Sequence, residues 1–217
     1  MRNITIIFVA VLVLLSGCDR LRRVKSIGTY PQEAHGYDLS HHNKNIKWGR
    51  LQEANAQFVY LKATEGVSFA DPCFKEYRRQ ARRHGMKVGA YHFMRPKVSG
   101  RRQFEYFKKV VGNDMDLIPV LDVEVKGISN DNIRQFVEAC ERHYGVKPMI
   151  YSSFLMHATH RSAIKDCKWW MAHYHSTART DYDLWQFSDK KRVHGMQIDH
   201  NYINPRLTLE DFLIRNK

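Results

Sequence analysis

Two acids close an otherwise apolar run: Asp122 and Glu124 end Leu117-Ile118-Pro119-Val120-Leu121-Asp122-Val123-Glu124. In a β-strand, alternate side chains share a face, so both acids point one way and Leu121 and Val123 the other. Desolvation and mutual repulsion raise carboxylate pKa values. One acid can then keep its proton near neutral pH while its neighbour stays ionised. Glycosidic-bond cleavage needs that division, because the leaving oxygen must be protonated while positive charge develops on the sugar ring. Acids at strand ends also pair with Arg or Lys, cap helices, or hold hard cations. Asp38 and Asp199, at the ends of two other predicted strands, favour the catalytic reading.

The aromatic residues favour sugar over metal. Tyr91, Phe93, Tyr151, Trp169, Trp170, Tyr174, Trp185 and Phe187 fall in or just after predicted strands. Sugar rings present C–H faces that pack on aromatic planes, although core packing accounts for at least half of these side chains. No Cys-x-x-Cys or other zinc pattern occurs. Adjacent His41 and His42 would point to opposite faces of a strand, and exposed histidines are the simpler reading. Neither a metal nor a cofactor is expected.

The elements that must position these residues alternate in type. Strands are predicted at 35–40, 58–63, 87–93, 117–124, 147–152, 169–173, 184–188 and 196–199. Helices are predicted at 72–84, 100–111 and 130–144. Asp71 is a candidate N-cap for the first helix, with Pro72 in its first turn, and Gly85, Gly112 and Gly145 are stop signals. This alternation implies a largely parallel sheet. The fold class is α/β: an irregular TIM-like barrel of about eight strands with few helices. An open doubly wound sheet is the structural alternative, but no Gly-x-Gly-x-x-Gly follows the first strand. In a barrel, catalytic groups gather at the C-terminal strand ends. Asp38, Thr64-Glu65, His92, Asp122 with Glu124, Gln186 and Asp199 all fall there.

Residues 1–17 read as a secretory signal, with Arg2 ahead of an apolar stretch too short to span a bilayer. The stretch ends in Leu15-Ser16-Gly17-Cys18, which resembles a bacterial lipoprotein box with Cys18 as the lipidated residue. Residues 18–33 then form the lipidated cysteine and a tether, and 34–217 a single domain. The expected location is the cell envelope, at a bacterial membrane through the lipid on Cys18. Of the remaining Cys73, Cys140 and Cys167, at most two can form a disulfide. The formal net charge of +13 suits anionic envelope polymers, and an exported chain does not meet nucleic acid. Most of the charge reads as solvated helix faces, at Lys75, Arg78, Arg79, Arg82 and Arg83, and at Arg101, Arg102, Lys108 and Lys109.

Six ordered segments between His35 and Asn201 resemble the family 25 glycoside hydrolases, the lysozymes. They are Gly36-Tyr37-Asp38-Leu39-Ser40, Lys62-Ala63-Thr64-Glu65-Gly66, Gly89-Ala90-Tyr91-His92-Phe93, Leu121-Asp122-Val123-Glu124, Trp185-Gln186-Phe187-Ser188, and the stretch from Gly195 to Asn201. The resemblance implies an N-acetylmuramidase that cuts the β-1,4 bond between N-acetylmuramic acid and N-acetylglucosamine in peptidoglycan. Carried over, Glu124 is the general acid/base. Asp122 is either the nucleophile or the group that orients the substrate's 2-acetamido arm. Asp38 and Asp199 complete an acidic floor, and Tyr91, Trp185 and Tyr174 contact sugar. A monomer acting on glycan strands is expected. Phe187 departs from the usual Tyr, and His41-His42-Asn43 stands where a Gln is common. A family 18 chitinase-like barrel also ends a strand in Asp-x-Glu, but its further acids would fall at Val120 and Leu117. A non-catalytic, envelope-anchored glycan-binding lipoprotein would have dropped the four acids.

Overall fold

A computed structural model describes residues 28–175, 177–178 and 181–214. The signal segment, Cys18 and the first part of the tether lie outside these residues. Among the described residues, eight strands form the closed barrel: β1 (Gly36–Leu39), β2 (Phe58–Glu65), β3 (Lys87–Phe93), β4 (Val120–Asp122), β5 (Met149–Ser153), β6 (Trp169–Ala172), β7 (Leu184–Ser188) and β8 (Asp199–Ile203), and the short strand Phe69–Ala70 pairs with the end of β2. Strands β1 to β7 pair in parallel with their sequence neighbours. Strand β8 runs antiparallel between β7 and β1 and closes the barrel. The expected barrel is therefore present, with a mixed rather than wholly parallel sheet.

Helices α1 (Trp48–Glu53), α2 (Phe74–Arg83), α3 (Gly100–Val111), α4 (Asn130–Tyr144) and α5 (Phe154–Thr159) follow the first five strands. Helices α3 and α4 start as their sequences dictate. Ser99 and Ser129 accept hydrogen bonds from the backbone N–H groups of Arg102 and Asn132. Gly145 ends α4 in the left-handed conformation, where a Cβ would be strained. Helix α2 begins two residues later than predicted. The Asp71 carboxylate serves the preceding turn, taking the Cys73 N–H on Oδ1 and the His41 N–H on Oδ2.

Alternation along the strands divides the core in two. Phe58, Tyr60, Val120, Met149, Trp170, Leu184 and Ile203 fill the barrel, joined by Phe212 from the C-terminal turn. Each buried aliphatic or Phe side chain there contributes about 1.5–3 kcal/mol. Gly89 leaves room for the Tyr60 ring, which an added Cβ would meet at 2.1 Å. Outside the wall, Val59, Leu61, Ala63, Val88, Ala90, Leu121 and Ile150 pack under α1 to α4. Trp169, Met171, Trp185 and Phe187 form the outer face of β6 and β7. His157 of α5 stacks on Trp169 at 4.0 Å, and among the described residues no helix follows β6 or β7 to cover the rest. Tyr30, from the stretch read as tether, packs there together with Ala34 at the start of the domain.

Two strand predictions needed revision. The run 117–124 is a strand only from Val120 to Asp122, because Leu117 bridges to Leu213 and Pro119 has no N–H for the ladder. Residues 196–199 are not one strand: Met196–Gln197 pairs with Arg192–Val193 across a tight turn at His194-Gly195, and Asp199 starts β8. Both turn residues have positive φ (47° and 83°), as a two-residue hairpin of this type requires. The sheet also bulges at Ala63, so Thr64 turns outward with His92.

Candidate active site

One cleft of about 390 Å³ opens at the C-terminal ends of the parallel strands, within the range of small-molecule sites. Asp38, Asp122, Glu124 and Asp199 all line it, with Lys62, Tyr91, Tyr151, Trp170 and Gln186. Asp199 reaches this mouth because β8 is antiparallel and starts there. His42 and Asn43, at the departure from the family pattern, form part of the wall.

Asp122 is buried at the end of β4, and its Oδ1 has no hydrogen-bond partner. Burial raises its pKa well above the ordinary carboxylate value. The Glu124 charge adds to the rise, and the Lys62 ammonium opposes it. Glu124 lies just past the strand and is exposed. Desolvation raises its pKa too, against the pull of Lys62. The Lys62 ammonium bonds Glu65 Oε2 at 2.7 Å and lies over the Phe93 ring at 4.7 Å.

Asp38 is held by two amide donors: Asn201 Nδ2 at 2.7 Å and Gln186 Nε2 at 2.9 Å, both on Oδ2. The amides can face only one way. Trp170 Nε1, a donor, takes the Asn201 carbonyl at 2.8 Å. The hydroxyls of Tyr151 (2.8 Å) and Tyr174 (2.6 Å) donate to Gln186 Oε1. Burial and then the Asp38 charge push the Asp199 pKa upward. Burial raises that of Asp38, while the two amide hydrogen bonds oppose the rise. The physical result is one proton held on Asp199 beside an ionised Asp38.

The four acids thus come together, and Tyr91 lines the cleft with them. Tyr174 stands at the rim with its hydroxyl bound to Gln186. Trp185 does not reach the cleft. It is buried on the outer face, its Nε1 donating to the His173 carbonyl at 2.6 Å. Phe187 faces outward as well, so its missing hydroxyl does not affect the cleft. His92, expected at the mouth, is buried outside the wall. Its Nε2 donates to Gln103 Oε1 and its Nδ1 accepts from Thr64, while burial lowers its pKa to about 4. Half-buried His41 bonds Asp71 at 2.7 Å rather than standing free. Gln186 is at the mouth as expected from its strand end, and Tyr151 and Trp170 are the members of the aromatic set that join Tyr91 and Phe93 in the cleft. Lys62 and Asn201 are the residues the sequence reading missed. Cys73, Cys140 and Cys167 are all free thiols. Among the described residues, no group of three or more His, Cys, Asp or Glu side chains is placed to hold a metal ion.

A desolvated carboxylate pair in an open cleft lined by aromatic rings is the equipment of a glycoside hydrolase. Residues 37–196 match the sequence profile of the glycosyl hydrolases family 25, and the chain belongs to that family. It is 34% identical over 189 residues to the uncharacterized protein YegX of Escherichia coli K12, covering 78% of this chain and 69% of that one. Lysozyme M1 of Streptomyces globisporus is 30% identical over 198 residues, covering 78% and 67%. The structure of a family 25 glycosyl hydrolase from Bacillus anthracis matches with a TM-score of 0.71 at 27% identity, over 82% of this chain and 92% of that chain. By this membership the protein is a glycosidase of the muramidase type.

Proposed function

We propose that the protein cleaves the β-1,4 bond between N-acetylmuramic acid and N-acetylglucosamine in peptidoglycan, with retention of configuration and with Glu124 as general acid/base. The observation that carries this reading is the Asp122–Glu124 pair: one carboxylate buried with an unpartnered oxygen, the other exposed at the cleft. Burial acts more strongly on Asp122, so in the free enzyme the pair's proton favours Asp122. A substrate acetamido N–H set against Asp122 Oδ1 stabilises the ionised form and shifts the proton to Glu124. Glu124 is then the acid that protonates the leaving oxygen, and later the base that activates water.

This favours Asp122 as the group that orients the 2-acetamido arm, whose carbonyl oxygen attacks the anomeric carbon. A nucleophilic carboxylate would face carbon and gain no hydrogen bond from binding. Asp38 and the protonated Asp199 form the floor, with Tyr91, Tyr151 and Trp170 along the walls.

The localisation follows from sequence alone. A lipid on Cys18 holds the enzyme at an envelope membrane, close to glycan strands. Labelled fatty acid incorporated by wild type and absent in Cys18→Ser supports this, and equal labelling refutes it.

The direct test of activity uses the chain beginning at Asp19 on a peptidoglycan suspension. The expected result is falling turbidity with new muramic-acid reducing ends, abolished by Glu124→Gln. Glucosamine reducing ends, or full activity in Glu124→Gln, would overturn the assignment.

A further inference from the structure

We propose that Tyr30 and Tyr174 are positioning residues for the cleavage reaction, through which residues 28–33 hold the Gln186 amide and, with it, the Asp38–Asp199 pair. The proposal rests on the muramidase reading of the cleft.

Gln186 lies in β7 between Trp185 and Phe187, facing inward while its neighbours face out. From outside, the Tyr30 ring stands edge-on to both neighbours, at 6.0 Å from Trp185 and 5.4 Å from Phe187. Its hydroxyl donates to the Phe187 carbonyl at 3.0 Å. Lys191 clamps the same strap. Its Nζ bonds the carbonyls of Pro31 and Gln32 and lies over the rings of Tyr30 and Phe187. From the mouth, Tyr174 donates to Gln186 Oε1. The loop carrying Tyr174 is stitched to the same strap, since Gly28–Thr29 pairs antiparallel with Thr177–Ala178. One segment therefore grips β7 from both sides at the residue that feeds the acid pair.

The chemistry of the grip is directional. Two phenol donors on Oε1 force the Gln186 nitrogen toward Asp38 (2.9 Å) and Asp199 (3.4 Å). With one phenol withdrawn or the strand displaced, the amide is free to turn and bring its carbonyl toward the ionised Asp38. The pair then loses a donor and the floor loses its fixed charge.

The test compares Tyr30→Ala, Tyr30→Phe, Tyr174→Phe and the Tyr30→Ala/Tyr174→Phe double variant in the chain from Asp19. The expected result is a fall in kcat of about 5- to 20-fold for Tyr30→Ala and for Tyr174→Phe, the scale of one displaced hydrogen bond, with KM within about twofold. Tyr30→Phe keeps the ring and recovers most of kcat. The double variant is close to the worse single, because both act through one amide. An unchanged kcat in folded Tyr30→Ala, with a lower Tm alone, would make the strap a mere cover for the apolar face. A raised KM with intact kcat in Tyr174→Phe would make Tyr174 a sugar contact. A second readout needs no substrate: the carboxyl ¹³C titration of Asp199, whose charged neighbours are Asp38, Asp189 and Glu124. It shifts in both variants if the proposal holds and stays put if it fails, even should the wild type prove inactive on peptidoglycan.

Discussion

Asp38 and Asp199 sit directly opposite each other where β1 pairs with β8, and both accept from one nitrogen, Gln186 Nε2. The two acids are not equivalent. Asp38 also receives the Asn201 amide, so the negative charge settles there and Asp199 keeps the proton. Asp199→Asn therefore leaves a neutral donor in place, whereas Asp38→Asn sets an amide against two amide donors. The expected loss in kcat/KM is about tenfold for Asp199→Asn and about a hundredfold or more for Asp38→Asn, since buried donors left unpaired cost most. Equal losses would show that the charge is shared.

Glu124 is exposed and accepts no structural hydrogen bond in the cleft wall, so its role is separable from stability. Glu124→Gln is expected to lower kcat by roughly 10²–10⁴-fold, the usual contribution of a positioned acid, with Tm close to wild type. Circular dichroism melts and steady-state rates on the same preparation check both halves.

Asp122 links the site to stability. Its pKa is raised in the folded state, so the folded protein binds this proton more tightly than the unfolded chain. Below the unfolded value, about pH 4, the group is neutral in both states and carries no penalty. As pH rises from there toward the folded value, the penalty grows. Asp122→Asn is therefore expected to melt higher than wild type at pH 8, by about 2–4 °C for each kcal/mol relieved, with the gap closing near pH 4. Parallel melting curves at the two pH values, with a constant gap, would contradict this.

Much of this organisation was legible in the sequence. The bounds of β3, α3, α4 and β7 follow from the alternation of strand and helix patterns and from the Gly112 and Gly145 stop signals, and the acids were found as strand-end residues. The parity of the tryptophans was readable too. Trp185 and Gln186 are adjacent on a strand, so they could not both face the cleft, and the aromatic character of Trp185 outweighed that rule. Asn201 was hidden because its partner, Asp38, lies far along the chain, and Lys62 because the carboxylates its charge acts on, Asp122 and Glu124, are about sixty residues away. The strap was read as tether because residues 28–33 are polar and short. Their hold comes from the buried apolar outer face of β7, where Tyr30 packs on Trp185 and Phe187, a contact visible in three dimensions and not along the chain.

Lys62 lowers the pKa of both Asp122 and Glu124 by its charge. Its own anchor, Glu65, retains Arg95 when Lys62 is lost, so the site keeps its shape. Lys62→Met, which preserves the apolar stem, is expected to move the acidic limb of the kcat/KM profile upward by about one pH unit. An unmoved limb would separate Lys62 from the carboxylate pair.

Trp170 and Trp185 provide a paired contrast, because they differ in face and not in residue type. The Trp170 ring lines the cleft and its Nε1 fixes the Asn201 amide on Asp38. The Trp185 ring is spent on the outer cluster with Tyr182 and Phe187. Trp170→Phe removes the donor that orients Asn201, so the Asn201 carbonyl can turn toward Asp38. An activity loss of about tenfold or more is expected, with a modest change in Tm. Trp185→Phe is expected to do the reverse. It leaves a gap in a packed cluster, lowering stability by about 1–3 kcal/mol, while KM stays near wild type. Rates and melting curves of the two variants side by side decide it, and a raised KM in Trp185→Phe would return that ring to the sugar site.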